Sequence, residues 1–180
     1  MKVILYMAIT ANGYIATEDG DSSFTSEADE ENFREMVKQV GVVVMGRNTY
    51  DYLVKGKAFP IPDALNVVMT TNPPEVESLK DVIFLDGSPE EVVEELKKRE
   101  LQEVVIAGGG ELSGSFMTDG LIDEIYLTVE PVVFGQGINL FEHGEFKRNL
   151  ELLDTKKISD NEIQLHYGVL RHTLDSYLGS

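Results

Sequence analysis

The chain has 180 residues, which is enough for one domain with its own hydrophobic core. Its 15 basic and 32 acidic residues give a net charge of −17, which argues against binding to nucleic acid or anionic membranes, since both need a basic surface. Cysteine is absent, so disulfides, thiolate nucleophiles and cysteine-ligated metals are excluded. No apolar run approaches the roughly 20 residues of a membrane-spanning helix, and Met1–Ile9 lacks the pattern of a signal peptide. We therefore expect a cytoplasmic protein.

The first element is predicted to be a buried strand. Lys2–Ile9 is a continuous apolar run, typical of a central strand that is covered on both faces. Asn12-Gly13 is a strong turn signal, and Tyr14–Ala16 then resumes an extended stretch. A polar loop at Thr17–Thr25 is expected to follow.

Ser26–Val40 predicts the first helix, with Ser26 as its cap and acidic residues in its first turn. Its apolar stripe has helical spacing and consists of Phe33, Met36, Val37 and Val40. Extended back by four residues, the stripe reaches Asp29. A carboxylate on the inward face of a helix is costly unless it is paired, so Asp29 is a candidate functional residue. It is equally consistent with a half-exposed residue that completes the first turn.

An arginine begins the second predicted helix. Gly41–Met45 is rich in β-branched residues and predicts a short strand. Gly46-Arg47-Asn48-Thr49-Tyr50 follows it directly. This order puts a permanently charged, fork-shaped donor beside the free N–H groups of a helix start, which suits a phosphate group. The alternative is a surface ion pair. Further strands are predicted at Leu65–Thr70 and Val82–Leu85, and a helix at 88–99 with a capping box at its start.

A glycine triplet separates the next strand from its helix. Val104–Ile106 predicts a buried strand, Gly108-Gly109-Gly110 follows, and a short helix runs through Phe116. Glycines let the backbone approach a ligand closely, and a helix N-terminus offers free N–H groups and a positive dipole end to an anion. The sequence therefore predicts a phosphate cradle, with a tight strand–helix turn and no ligand as the alternative.

The C-terminal part is predicted to be mainly β-structure. Ile122–Val129 predicts one strand, and Leu150–Ile158 with Glu162–Leu170 predicts a closing antiparallel pair. The element order indicates one α/β domain at residues 1–171, with a central, mostly parallel sheet, followed by a polar tail at 172–180. No metal is expected, because the histidines lack the spacing of a metal site: His143, His166 and His172.

Several runs of sequence resemble the dihydrofolate-reductase-like superfamily, and most of all its bacterial branch related to the reductase domain of riboflavin biosynthesis. These runs are GRNTY at 46–50, AGGGEL at 107–112, LIDEIYLTVE at 121–130 and PVVFGQGINLF at 131–141. The likeness extends over most of residues 1–170. It implies a three-layer fold with helices on both faces of the sheet, an NADPH cofactor, and a homodimer formed through the C-terminal strands.

The resemblance also implies where NADPH binds. Its nicotinamide end would lie along Ala8, Ile15 and Ala16, which as small apolar residues could also serve packing alone. The residues implied around the adenosine 2′-phosphate are Gly46, Arg47, Thr49, Thr70 and Thr71. Those implied around the diphosphate are Gly108, Gly109, Gly110, Glu111 and Leu112. Thr71 offers a hydrogen bond but no charge at a position where relatives often carry Ser or Arg.

On the substrate side, the resemblance implies that Asp29 is catalytic and holds the amino-pyrimidine edge of a heterocycle. Thr128 would hydrogen-bond to Asp29, although a threonine in a strand is also simply a good β-former. Phe33 and Tyr50 are the other implied substrate-binding residues. The implied reaction is the transfer of a hydride from NADPH to a C=N carbon.

Two substrates fit this expectation, because both present a 2-amino-4-oxopyrimidine edge: dihydrofolate and the ribosylaminopyrimidine phosphate of riboflavin synthesis. The sequence departs from each pattern. It has no tryptophan, and Phe24 stands in the loop where dihydrofolate reductases carry a Pro-Trp pair. Tyr6 stands where riboflavin-pathway reductases typically have lysine. The alternative from another class is an NADPH-binding protein without turnover, acting as a sensor or scaffold.

Overall fold

A computed structural model describes residues 1–75 and 79–171. The polar tail at 172–180, including His172, lies outside the described residues. The described residues form four helices: α1 (Glu27–Val40), α2 (Arg47–Lys55), α3 (Pro89–Lys98) and α4 (Gly110–Thr118). The same part of the chain forms ten strands: β1 (Lys2–Thr10), β2 (Tyr14–Ala16), β3 (Val42–Gly46), β4 (Leu65–Met69), β5 (Val82–Leu85), β6 (Glu103–Ile106), β7 (Glu124–Glu130), β8 (Ile138–Asn139), β9 (Asn149–Lys157) and β10 (Ile163–Leu170).

Eight strands form one mixed sheet in the order β5-β4-β3-β6-β1-β7-β10-β9. The strands from β5 to β7 pair in parallel, whereas β10 runs antiparallel to both β7 and β9. The prediction of a mostly parallel central sheet with an antiparallel C-terminal pair is confirmed.

Helices cover both faces of the sheet because the central strands are apolar on both sides. In β3, Val42 and Val44 pack with the buried residues of α3 and α4, while Val43 and Met45 pack with those of α1 and α2. Each of these four side chains is fully buried. The apolar run of β3 is therefore that of a strand covered by helices on both faces, which is the three-layer arrangement that the family resemblance implied.

Several element boundaries differ from the sequence prediction by one or two residues, and two of these differences have a visible structural reason or consequence. Gly41 belongs to the end of α1 rather than to β3, because it adopts the left-handed conformation (φ 81°) and its N–H bonds to the carbonyl of Val37. β7 begins at Glu124 rather than at Ile122. Just before it, the Asp123 carboxylate accepts a hydrogen bond from the Val3 N–H at 2.9 Å, so this residue ties the start of β7 to β1.

The sequence did not predict the second sheet, in which β2 pairs antiparallel with the two-residue strand β8. Gly137 lies against this pair, and a Cβ there would come within 2.5 Å of the Ala16 carbonyl. Glycine thus allows the 131–141 segment to lie close over β2. None of the described helices is both long and apolar enough to cross a membrane.

Candidate functional site

A cleft of about 570 Å³ lies at the carboxyl ends of β1, β3, β4, β5 and β6. Open α/β sheets bind ligands at this edge, where loops diverge and helix N-termini converge. One wall carries Ile15, Ala16 and Ile138 from the small sheet, and the opposite wall carries the start of α2 and the end of β4. The cleft therefore lies where the sequence predicted a nucleotide.

Gly109 and Gly110, the last two residues of the glycine triplet, form the floor of this cleft. Gly109 is the N-cap of α4 and supplies no side chain to bond the helix N–H groups. A Cβ on Gly109 would meet only Thr49 Oγ1, at 3.8 Å, so there is open space beside the backbone. The Gly108 carbonyl accepts a hydrogen bond from the Gly46 N–H at 3.0 Å, which joins the floor to the start of α2. This arrangement offers backbone donors and room for a phosphate.

Arg47 stands at the first position of α2 and lines the cleft. Its Nε donates to both carboxylate oxygens of Asp51 at 2.9 Å, and its Nη1 donates to the Asn72 carbonyl at 2.5 Å. The guanidinium carbon also lies 5.8 Å from the centre of the Tyr50 ring. Arg47 is therefore held in place by its own chain while its charge faces the cleft.

Most of the predicted cofactor residues are brought together here. Those that line the cleft are Ile15, Ala16, Gly46, Arg47, Thr49, Thr70, Thr71, Gly109, Gly110, Glu111 and Leu112. Two predicted residues do not line it: Ala8 is buried in β1, and Gly108 packs against the Met7 side chain. Met7, Asp86 and Glu142 line the cleft although the sequence analysis did not select them.

Asp29 lies in a buried polar cluster with Tyr6, Thr128 and Gln164. Its side chain is only 5% exposed, and Tyr6 Oη donates to its Oδ1 at 2.9 Å. Gln164 Nε2 donates to Tyr6 Oη at 2.9 Å and to Thr128 Oγ1 at 3.2 Å. The register explains the cluster, because Ala8, Thr128 and Gln164 occupy one row across β1, β7 and β10.

The pKa of Asp29 is raised above its ordinary value, chiefly because burial penalises the charged form. Hydrogen bonds from Thr128 and Tyr6 act in the opposite direction but do not cancel this effect. Burial likewise raises the pKa of Tyr6, and the negative charge of Asp29 adds to the rise. Glu130 is 1% exposed, and burial raises its pKa although the Ser26 N–H donates to it at 3.0 Å. Acidic groups with raised pKa values thus gather at the start of α1.

The structure separates the other two predicted substrate residues. Phe33 packs against the Tyr6 ring, with their centres 5.3 Å apart, and so belongs to the surroundings of Asp29. Tyr50 is buried between Phe59 and Phe84, at ring-centre distances of 4.8 and 5.6 Å. Tyr50 does not line the cleft and does not belong to the Asp29 cluster. Its ring contacts the Arg47 guanidinium, which does line the cleft.

Sequence reasoning missed Tyr6 and Gln164 as members of the site. Tyr6 was visible as a hydroxyl inside an apolar strand, whereas Gln164 acquires its position only through the pairing of β10 with β7. Asp29 does not line the cleft, and its carboxylate accepts a hydrogen bond from Tyr6. Across residues 1–75 and 79–171, no group of three or more His, Asp or Glu side chains is placed to hold a metal ion.

Comparison with known families gives a match over nearly the whole domain. The family model described as the RibD C-terminal domain matches residues 1–54 and 61–164. The uncharacterized protein YwjB of Bacillus subtilis is 34% identical over 170 residues, covering 92% of this chain and 97% of its own. The 2,5-diamino-6-ribosylamino-4(3H)-pyrimidinone 5′-phosphate reductase of Methanothermobacter thermautotrophicus is 26% identical over 170 residues, covering 74% of this chain and 79% of its own.

Solved structures agree with this match. A putative riboflavin biosynthesis protein from Shewanella superposes with a TM-score of 0.83 at 25% identity, covering 95% of this chain and all of that one. A dihydrofolate reductase from Enterococcus faecalis, complexed with NADP(H), superposes with a TM-score of 0.72 at 20% identity, covering 93% and 96%. At that identity the second likeness concerns the fold alone, and it confirms the prediction of a dihydrofolate-reductase-like architecture.

Proposed function

This chain belongs to the RibD C-terminal domain family, that of the RibD reductase domain, and on that premise we propose that it is a cytoplasmic NADPH-dependent reductase of a small heterocycle. The observation that carries the proposal is the cleft, in which Gly109, Gly110 and Arg47 line the same space. The conclusion that the protein is a reductase of this kind follows from its family. NADPH as the coenzyme and the class of substrate are parts of the proposal.

The residues of the cleft fit a dinucleotide. The open space beside Gly109 and the free N–H groups of α4 suit the diphosphate, and Arg47 with Thr49 suits the adenosine 2′-phosphate. Ile15 and Ala16 would bound the nicotinamide end with apolar surface. When bound, NADPH would supply the hydride that reduces the carbon of a C=N bond, while the nitrogen takes a proton from water or an acid.

Asp29 is the proposed anchor for the substrate. It is the buried carboxylate of the domain that is set beside a threonine and a glutamine, and its raised pKa is typical of a functional position. Tyr6 donates to one oxygen of Asp29, and the residue is 5% exposed, so a substrate that binds this carboxylate must move the side chains that bury it. Gln164 and Thr128 would then keep the surrounding hydrogen bonds in place.

The proposed substrate carries a 2-amino-4-oxopyrimidine edge, whose amino group suits a carboxylate acceptor. The archaeal relative, named as a pyrimidinone phosphate reductase, favours an aminopyrimidine over dihydrofolate. The alternative function is an NADPH-binding protein without turnover, and the closed state of Asp29 is the observation that favours it.

The test is a titration with NADPH and with NADH, following the fluorescence of the bound dihydronicotinamide, which no tryptophan of this chain can obscure. We expect saturable binding of NADPH that weakens about tenfold in Arg47→Gln. Arg34→Gln, which removes an exposed arginine of α1, is the matched control and should change nothing. Binding of neither nucleotide would refute the proposal.

Turnover is tested separately, by the loss of NADPH absorbance with dihydrofolate and with aminopyrimidine phosphates. Oxidation of NADPH by one of them supports the reductase. Tight binding of NADPH with no oxidation by any of these compounds would instead support the alternative of a binding protein.

We also propose a homodimer formed through the C-terminal strands. β9 is an edge strand, and Leu150, Leu152 and Leu153 on it are 41%, 54% and 48% exposed. Exposed leucines on an unpaired edge favour contact with a second copy. Light scattering should give twice the mass of the chain, and Leu152→Lys should lower it. A monomeric wild-type protein would contradict this proposal.

A further inference from the structure

Asp86 occupies the carboxyl edge of the sheet beside the proposed adenosine end of the cleft. It directly follows β5, which pairs in parallel with β4 so that Met69 stands beside Leu85. The Thr70 N–H bonds to the Leu85 carbonyl at 2.9 Å, and Asp86 therefore lies next to Thr70, about one strand spacing of 4.8 Å away. Asp86 is exposed and lines the cleft.

The charges that line this cleft are mostly negative. Arg47 is its one basic side chain among the described residues, whereas Asp86, Glu111 and Glu142 contribute carboxylates. Asp51 further compensates Arg47 through two hydrogen bonds at 2.9 Å. The whole chain also has a net charge of −17. An anion bound near Arg47 must therefore overcome carboxylates close by.

The two nicotinamide coenzymes differ at the adenosine ribose. NADPH carries a 2′-phosphate, a monoester with a charge of about −1.5 to −2 at neutral pH, whereas NADH carries a hydroxyl. A carboxylate at the end of a strand suits the hydroxyl, since it accepts a hydrogen bond from the ribose, and it repels the phosphate. Arg47 has the opposite preference.

We propose that Asp86 sets the coenzyme specificity of this cleft: its carboxylate opposes the 2′-phosphate that Arg47 attracts and accepts a hydrogen bond from the ribose of NADH, so that the protein accepts both coenzymes. This inference rests on the proposed nucleotide site. The inference goes beyond that site because it gives Asp86 a role that the sequence did not predict. In this role the Asp86 carboxylate opposes the preference of Arg47 for the 2′-phosphate.

The test compares dissociation constants for NADPH and NADH in the wild type and in Asp86→Asn, at low ionic strength. The wild type is expected to prefer NADPH by less than about tenfold, because Arg47 and Asp86 act in opposition. Asp86→Asn should bind NADPH about three- to tenfold more tightly and NADH no more tightly than the wild type. Asp86→Lys should favour NADPH further.

Three controls isolate the position of the charge. Asp160→Asn removes one negative charge from a fully exposed side chain in the β9–β10 turn and should leave both constants unchanged. Asp86→Glu keeps the charge and should keep the wild-type ratio within about threefold. The effect of Asp86→Asn on NADPH should shrink in 1 M salt, where the Debye length falls to about 3 Å.

The outcomes separate this inference from the function on which it rests. If Asp86→Asn changes both coenzymes equally, or neither, Asp86 does not set specificity although the cleft still binds nucleotide. A wild-type preference for NADPH of more than about a hundredfold would also overturn the inference, since no opposing residue is then at work. If neither coenzyme binds the wild type, the proposed function itself fails.

Discussion

The cleft at the carboxyl ends of the strands and the Asp29 cluster are built in opposite ways. The cleft is open, its floor is backbone, and its one arginine is partly exposed at 37% of its side chain. The Asp29 cluster is closed, with four polar side chains that are at least nine-tenths buried and bonded to one another. The cleft is thus open to a ligand, whereas a ligand reaches the cluster only if the side chains that bury it move.

The two regions also differ in how much they destabilise the folded state. A buried carboxylate that keeps its charge is costly, and a raised pKa is the measure of that cost for Asp29. The glycine floor of the cleft bears no comparable penalty, because its donors are the N–H groups that any helix start leaves free. Substitutions in the two regions should therefore fail in different ways.

The largest expected effect is on turnover in Asp29→Asn. The neutral amide has nearly the same shape but cannot offer a carboxylate to the substrate, so we expect kcat to fall by about 100-fold or more. NADPH binding should stay within about twofold, since Asp29 does not line the cleft. Steady-state kinetics and the NADPH titration check both parts. Glu30→Gln, on the neighbouring exposed residue, is the control, and full activity in Asp29→Asn would remove Asp29 from the mechanism.

The next effect separates two adjacent glycines of the floor. Gly109→Ala should fold normally, because its φ of −74° suits alanine and only Thr49 Oγ1 lies within 4 Å of the new methyl. That methyl would enter the space proposed for the diphosphate, so NADPH affinity should fall by about tenfold or more. In Gly110→Ala the methyl would collide with the Asn139 carbonyl and come within 2.8 Å of Glu142 Cγ, so stability should fall instead.

Calorimetry and NADPH titration distinguish these two failures. Gly135→Ala is the matched control, since nothing lies within 4 Å of its new methyl and Gly135 is outside the cleft. If Gly109→Ala binds NADPH as well as the wild type, the diphosphate does not lie on this floor.

Much of this arrangement could be predicted from local sequence. The Ser26 cap is confirmed, because its Oγ accepts from the Asp29 N–H at 3.1 Å. The position of the glycine triplet between β6 and α4 is confirmed as well, since a buried strand, three glycines and a helix are signals that neighbouring residues carry. The apolar stripe of α1 left open whether Asp29 is buried or half-exposed, and the structure shows that it is buried.

The remainder depended on contacts between distant parts of the chain. Gln164 reaches Thr128 across 36 residues of sequence, and only the register of β10 on β7 decides that they meet. The two residues of β8 are too few to show a period of alternation. Tyr50 belongs to a helix that the motif placed correctly, but packing against Phe59 and Phe84 fixes where its ring lies.

A smaller effect, on the pH dependence of activity, is expected in Tyr6→Phe. This variant tests whether Tyr6 controls the pKa of Asp29. The Tyr6 hydroxyl stabilises the charged form of Asp29, so its removal should raise the pKa of Asp29 further. The midpoint of the pH–activity profile that reports Asp29 should therefore move to higher pH, whichever protonation state the reaction uses. Tyr126→Phe is the control, because Tyr126 stacks in the same row of the sheet without bonding to Asp29. An unchanged profile would show that Tyr6 does not tune this carboxylate.

The smallest expected effect is on stability, and it follows from the sign of the Asp29 pKa shift. Because burial raises the pKa of Asp29 in the folded state, the folded chain holds this proton more tightly than the unfolded chain does. The contribution of Asp29 is therefore most favourable below the unfolded pKa of about 3.9 and is lost as the pH rises through the folded pKa. Asparagine is neutral throughout, so Asp29→Asn should match the wild type most closely in acid and gain relative stability towards neutral pH.

Thermal unfolding of the two proteins between about pH 4 and pH 8 measures this difference, where 1 kcal/mol corresponds to a shift of about 2–4 °C for a chain of this size. Glu30→Gln should show no such trend, because Glu30 is exposed. A loss of stability in Asp29→Asn at neutral pH would mean that the hydrogen bonds from Tyr6 and Thr128 outweigh the cost of burial. The Asp29 carboxylate would then stabilise the fold instead of destabilising it, and the cluster would no longer differ from the open cleft in this respect.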